Sequence, residues 1–132
     1  MNKYGNKKTI IDGIKYDSKK EANRGWELEL CLRQNLIKDL ERQKHFELQP
    51  SFIDNQGKTH RKIEYICDFY YYDNVEECYV AEDVKSTATA KDSTYILKKK
   101  MFMYSYPNIV FREIIWNILL VYHLGKIVWQ CY

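Results

Sequence analysis

Residues 61–85 constrain this chain more than any other stretch. Two runs rich in Ile, Tyr, Phe and Val, residues 61–72 and 77–85, flank the polar break Asp73-Asn74-Val75-Glu76. β-Branched and aromatic residues suit a pleated surface and the break suits a turn, so the stretch reads as a β-hairpin at the centre of a sheet. Yet residues 64–83 hold seven acidic side chains (Glu64, Asp68, Asp73, Glu76, Glu77, Glu82, Asp83) and no basic one. Carboxylates within an apolar hairpin are costly unless something pairs with them.

Hairpin geometry says which of these carboxylates meet. If Tyr72 pairs with Glu77, Asp68 lies opposite Ala81 and diagonal to Asp83, and alternation sends Asp68, Asp83 and Lys85 to one face. Diagonal neighbours start about 7–8 Å apart, a gap that one cation bridges once both carboxylates lean inward. A slip of one residue would put Glu82 on that face and turn Lys85 away, so Asp83-Val84-Lys85 is the self-consistent set. Asp68, Asp83 and the Val84 carbonyl suit a hard cation that keeps several waters, Mg²⁺ or Mn²⁺. Lys85 is then placed to orient an attacking water or to stabilise a pentacovalent phosphate.

The remaining segments supply a frame. Thr9-Ile10-Ile11, Asp12-Gly13 and Ile14-Lys15-Tyr16 read as a tight hairpin, because Asp-Gly accepts the positive φ angles of a type I′ turn. Ser18 then caps a helix, with Glu21 three residues later as in a capping box. Ala22, Gly25, Trp26, Leu32, Leu36 and Ile37 recur on one broad side, Glu29 among them, which predicts a helix to about Asp39 that buries that side. His45 to Ile53 reads as an edge strand around Pro50, and Asp54 to Lys58 as a polar loop. Ser86 to Lys91 is loop, Ser93 to Tyr104 a helix capped by Ser93, and Ile109 to Arg112 or slightly beyond a strand after the Pro107-Asn108 break. The order is αβββαβ, an α/β (α+β) chain.

With 132 residues, 45% of them hydrophobic, and only five Gly and two Pro, one packed domain is expected. MNKYGNKK carries no apolar run behind its lysines, so no secretory signal is expected. The stretch Ile114 to Leu124 is well under the roughly 20 residues of a membrane span. A soluble cytoplasmic protein without a membrane partner is the expectation. Cys31, Cys67, Cys78 and Cys131 form no C-x-x-C pair, and His45, His60 and His123 lie far from them, so buried free thiols are expected and not zinc or disulfides.

A net charge of +3 is too small to argue for nucleic acid by itself. Its layout says more. Residues 1–44 hold 11 basic and 7 acidic side chains, and Lys85, Lys91 and Lys98-Lys99-Lys100 follow the acidic block. Carboxylates that hold a cation, flanked by lysines that attract phosphate, are what cleavage of a polyanion needs. Lys19, Lys20, Lys91, Lys98 and Lys99 are the candidate DNA contacts. The competing assignments are structural: Glu21 as part of a capping box, Glu82 as an outward-facing ornament, the lysines as solvated faces, and the twelve tyrosines as packing rather than base-stacking groups.

Asp68, a hairpin, then Asp83-Val84-Lys85, preceded by a helix bearing Glu21 and followed by a lysine-bearing helix, resembles the PD-(D/E)XK nuclease superfamily. More narrowly, Lys3 to about Glu113, with Tyr16-Asp17-Ser18-Lys19-Lys20-Glu21-Ala22, Tyr65-Ile66-Cys67-Asp68-Phe69 and Glu82-Asp83-Val84-Lys85-Ser86, is similar to a small family of phage and prophage proteins with junction-resolving relatives. The resemblance implies a restriction-endonuclease-like core, a four-stranded mixed sheet flanked by helices, Mg²⁺- or Mn²⁺-dependent DNA cleavage in recombination or replication, and often a homodimer. By position it makes Asp68 and Asp83 metal ligands, Lys85 the catalytic lysine and Glu21 the acidic residue that completes the site. Cys67 replaces the proline that names the superfamily. Branched DNA is the substrate preferred by analogy. The alternatives are a nuclease-fold module that binds DNA or protein without cutting, and a structural or host-interaction protein. The nuclease-like domain is expected over 1–113, with 114–132 an apolar extension that packs on the core or on a partner.

Overall fold

A computed structural model describes residues 9–11, 14–16 and 18–115. Strands β1 (Thr9–Ile11) and β2 (Ile14–Tyr16) pair Thr9 with Tyr16, the register of the expected hairpin, and the Asp12-Gly13 turn lies outside the described residues.

Helix α1 (Lys19–Arg33) begins as predicted: Ser18 is the N-cap, and its hydroxyl accepts from Glu21 N at 3.1 Å. It stops six residues before Asp39, because Asn35 takes φ 56° and closes the end. Leu36 N donates to Cys31 O and Asn35 N to Leu32 O, the paired bonds of a Schellman stop, with Leu36 packed back on the core. The buried side of α1 holds Ala22, Gly25, Leu28 and Cys31 as well as the polar Glu21 and Arg24. Trp26, expected inside, is half exposed.

The chain therefore enters β3 (Ile37–Gln49) eight residues earlier than predicted. Asp39 and Gln43 both have positive φ and the ladder shifts between Lys38 and Glu41, so this strand lacks the clean alternation that would reveal it. After Pro50 a small hairpin of β4 (Phe52–Ile53) and β5 (Thr59–His60) encloses the loop from Asp54 to Lys58. Strands β6 (Ile63–Asp73) and β7 (Cys78–Lys85) form the central hairpin. A 3₁₀ turn (Thr89–Lys91) leads to helix α2 (Ser93–Ser105), whose cap is Asp92 rather than Ser93, its side chain accepting from Tyr95 N at 2.9 Å. Strand β8 (Ile109–Ile115) runs beyond Arg112 and takes in Ile114 and Ile115, which were expected in the tail. Residues 116–132 lie outside the described residues.

The order β3-β6-β7-β8 makes a four-stranded mixed sheet, antiparallel except for β7 with β8. The αβββαβ expectation holds at this level. Neighbours Val80 and Ala81 join different clusters, Val80 with Leu28 and Phe69 under α1 and Ala81 with Phe46 and Phe102 under α2. The two helices thus cover opposite faces. Full burial of side chains such as Leu28, Phe69 and Phe102 stabilises by about 1.5–3 kcal/mol each.

Tyr72 pairs with Tyr79, not with Glu77, so Asp68 is not opposite Ala81, whose partner is Tyr70. The turn sits one position later, at 74–77, held by Asp73 Oδ1 accepting from Val75 N and Glu76 N, with Glu77 at φ 55°. A two-residue shift preserves faces on β7, so Asp83 and Lys85 stay together. Cysteines depart from the expectation at Cys31, which is disulfide-bonded, while Cys67 and Cys78 are free thiols. Isolated cysteines carry no spacing signal that would have revealed this.

Candidate functional site

Strands β6 and β7 are paired from Asp73–Cys78 to Phe69–Glu82. Continuing that register places Asp68 level with Asp83, but the strands part there. On β6, Phe69 and Tyr71 pack under α1 as alternation requires, whereas Cys67 and Tyr65 pack under α2. Alternation therefore breaks at Asp68, across from the positive-φ residue Gln43. The result is a notch between two strands, lined by carboxylates.

Asp68 Oδ2 accepts from Val84 N at 2.7 Å, taking a backbone donor of β7. Its Oδ1 is 3.4 Å from Gln43 Nε2, and the same amide donates to Glu21 Oε1 at 3.0 Å. Gln43 thus bridges the helix carboxylate to the strand carboxylate. Burial first, then the hydrogen bond and charge of Asp83, push the Asp68 carboxyl up to about 8, opposed by the Val84 bond and aided by Glu21. Near neutrality Asp68 therefore keeps its proton.

Asp83 is almost wholly buried. Tyr65 OH donates to its Oδ2 at 2.5 Å, and burial beside Asp83 raises the Tyr65 phenol, which stays neutral. Lys85 Nζ is 3.1 Å from Asp83 Oδ1, but off the direction of an aligned hydrogen bond, so that buried oxygen has an ion-pair neighbour and no donor from Lys85. Lys85 Nζ also rests 4.7 Å from the centre of the Tyr95 ring. Tyr95 OH donates to Glu113 Oε2 at 2.5 Å, and Lys99 Nζ donates to the same oxygen at 3.0 Å. Burial would raise Glu113, yet these two donors hold it below the usual carboxylate range. A cavity of about 280 Å³ opens beside this group, lined by Tyr65, Ile66, Asp83, Lys85, Tyr95 and Lys98 among others.

The structure therefore brings Glu21, Asp68, Asp83, Val84 and Lys85 to one place. Val84 contributes there through its N–H. For Glu21, the backbone serves the cap and the carboxylate meets Gln43. Lys19, Lys20 and Lys91 are exposed, and Lys98 lines the cavity. Lys99 is partly exposed and pairs with Glu113 at 3.0 Å. Glu82, expected to face outward, is fully buried on the α1 face, where Arg24 Nη2 donates to Oε2 at 2.9 Å, Arg24 Nε donates to Oε1, and Tyr71 OH donates at 2.8 Å.

Sequence reading missed Gln43, Tyr65, Tyr95 and Glu113. Tyr95 stands one helical turn before Lys98 and Lys99, a spacing that was readable. Gln43 gives no signal, because nothing in a polar run announces a positive-φ glutamine. Among the described residues, no three His, Cys, Asp or Glu side chains are gathered into a ready cage for a metal ion. The amide of Gln43 stands between Glu21 and Asp68.

Fold and site together define a mixed α/β protein with a carboxylate pair and a lysine at a strand divergence. The chain belongs to a family described as protein of unknown function (DUF1064), whose model matches residues 1–120. No curated protein and no solved structure matches it.

Proposed function

We propose that the protein is a divalent-metal-dependent DNA endonuclease with a restriction-endonuclease-like, PD-(D/E)XK core. The observation that carries this reading is Asp68 and Asp83 held together on diverging strands with Lys85 Nζ 3.1 Å from Asp83. Order of elements, strand order and the position of Glu21 on the first helix support it.

The residues fit a hard cation. Asp83 Oδ1 is a buried carboxylate oxygen with the Lys85 ammonium beside it but off hydrogen-bond alignment, and the neighbouring Asp68 carboxyl is raised by burial first, then by the hydrogen bond and charge of Asp83. Oxygen-only donors of this kind suit Mg²⁺ or Mn²⁺, held by Asp68 and Asp83 with the Val84 carbonyl and Glu21 as further candidates. When bound, the ion supplies acidification of a water and neutralisation of charge on the phosphate. The chain's own groups do the rest. Tyr65 fixes the rotamer of Asp83. Gln43 holds Glu21 toward Asp68. Lys85, seated on the Tyr95 ring, presents an ammonium to a phosphate oxygen or to the attacking water, and Lys98 offers a second cation at the mouth of the cavity.

Purified protein incubated with linear duplex, flap and four-way-junction DNA, with Mg²⁺, Mn²⁺ or EDTA, tests this. Metal-dependent cutting that disappears in Asp83→Ala and Lys85→Ala is expected. Binding without cutting under every condition would instead favour a non-catalytic DNA-binding module.

A further inference from the structure

We infer that the β4–β5 hairpin is a DNA-docking arm, a two-stranded ribbon that enters a groove of duplex flanking the cleavage site. The inference rests on the DNA-cutting reading above and names how that substrate is gripped. Three observations carry it.

The hairpin is rigid at its tip without help from the rest of the domain. Asp54 Oδ1 accepts from Gln56 N at 2.9 Å and Lys58 N at 3.0 Å, and Oδ2 is 2.8 Å from His60 Nε2. Gly57, at φ 81°, closes the loop, and Phe52 stacks on His60 with ring centres 4.8 Å apart. Such pinning gives a surface arm one shape before any partner arrives, which lowers the ordering cost of binding.

Its exposed chemistry matches DNA. Phe52 and Ile53 are 45% and 69% exposed, a cost that an isolated loop does not need. Lys58, Arg61 and Lys62 are exposed around them. Lys62 pairs with Glu64 at 2.7 Å, but among the described residues Lys58 and Arg61 form no ion pair. Asp54, the sole carboxylate between residues 52 and 62, is committed to the turn and to His60. Cations around an apolar tip suit phosphates flanking a groove, and a major groove admits a two-stranded ribbon.

Its position is within reach of the site along the chain. The hairpin is a separate two-stranded sheet that follows the β3–β6 ladder after Gln49–Ile63, and β6 carries Asp68. His60 is eight residues from Asp68 and Lys58 ten, at most about 26 Å and about 33 Å at 3.3 Å per residue, so the arm lies within one turn of duplex, about 34 Å, of the carboxylates.

The test measures binding of a 30-base-pair duplex by anisotropy in EDTA across a salt series, for wild type, Lys58→Ala/Arg61→Ala and Phe52→Ser/Ile53→Ser. The basic double variant should weaken binding at least tenfold at low salt and reduce the log–log salt slope by about 2. The apolar double variant should weaken binding about threefold or more with the slope unchanged. Both should keep a melting temperature close to that of the wild type, because these side chains are exposed and belong to neither core cluster. Wild-type affinity and slope in both variants overturn the inference and leave the nuclease reading intact. Capture of anionic lipid vesicles through Phe52 and Ile53, with DNA affinity unaltered, would assign the tip to a membrane surface and overturn it equally. If wild type binds no DNA at all, the inference falls together with the proposed function.

Discussion

The backbone N–H of Val84 donates to Oδ2 of Asp68 at 2.7 Å, so a side-chain oxygen replaces the strand partner that β7 loses where β6 departs. Asp68→Asn keeps an oxygen acceptor there, whereas Asp68→Ala leaves a semi-buried donor unmet, at a cost of about 1–3 kcal/mol. In urea unfolding, the alanine variant should have the lower midpoint of the two. Both should lose cutting, the asparagine variant without losing its fold.

Asp68 also makes stability depend on pH. Its carboxyl titrates near 3.8 when unfolded and about 8 when folded, so over that interval the folded chain keeps a proton that the unfolded chain has released. The contribution is complete below the lower value and is lost as pH rises through the upper one. In EDTA, the melting temperature should fall between pH 5 and pH 9, and Asp68→Asn should flatten that fall. An equal slope in the variant would remove Asp68 as its cause.

Lys85 depends on the ring beneath it. Lys85→Ala should reduce metal-dependent cutting by on the order of 10²–10³-fold. Tyr95→Phe retains the aromatic face but not the bond to Glu113, and Tyr95→Leu loses both, so single-turnover rates should rank wild type, Phe, Leu. Equal losses in the two variants would show that the hydroxyl alone matters.

Glu82 and Asp83 are neighbours with different work. Glu82→Ala leaves the buried Arg24 guanidinium with Glu27, 2.8 Å from Nη1, as its remaining ion-pair partner and should cost about 3 kcal/mol in denaturant unfolding, the low end for a broken buried pair. Asp83→Asn should leave the fold largely in place and abolish cutting. A Glu82→Ala protein as stable as wild type would contradict the buried network.

Asn35 at φ 56° predicts that Asn35→Ala destabilises by about 1 kcal/mol while Asn35→Gly is close to neutral. Urea midpoints of the three proteins decide it.

The sequence reading reached the site because Asp83-Val84-Lys85 lies on a regular strand, where alternation holds. It misplaced Asp68 by one step of the hairpin, since Asp73-Asn74-Val75-Glu76 and Asn74-Val75-Glu76-Glu77 are equally turn-like, and the choice was made by Asp73 capping the turn with its own side chain. It carried the first helix too far because Leu36 and Ile37 keep the helical period, while a single left-handed asparagine ends the helix. Gln43 and the break in alternation at Asp68 are tertiary facts. They arise from two strands parting, which periodicity does not encode. Glu82 looked like surface because its partner, Arg24, is 58 residues away.

The adjacent acids of β7 also fix how that strand is threaded through the molecule. A shift by a single position would offer Asp83 to Arg24, put Glu82 where Asp83 stands and carry Lys85 away from the cavity, exchanging anchor for reagent. Because Glu82 already has Arg24 and Tyr71 waiting at matched distances, the wrong phase forfeits a buried ion pair before any chemistry is at stake. The silent face of the sheet thereby acts as a locating key for the face that works.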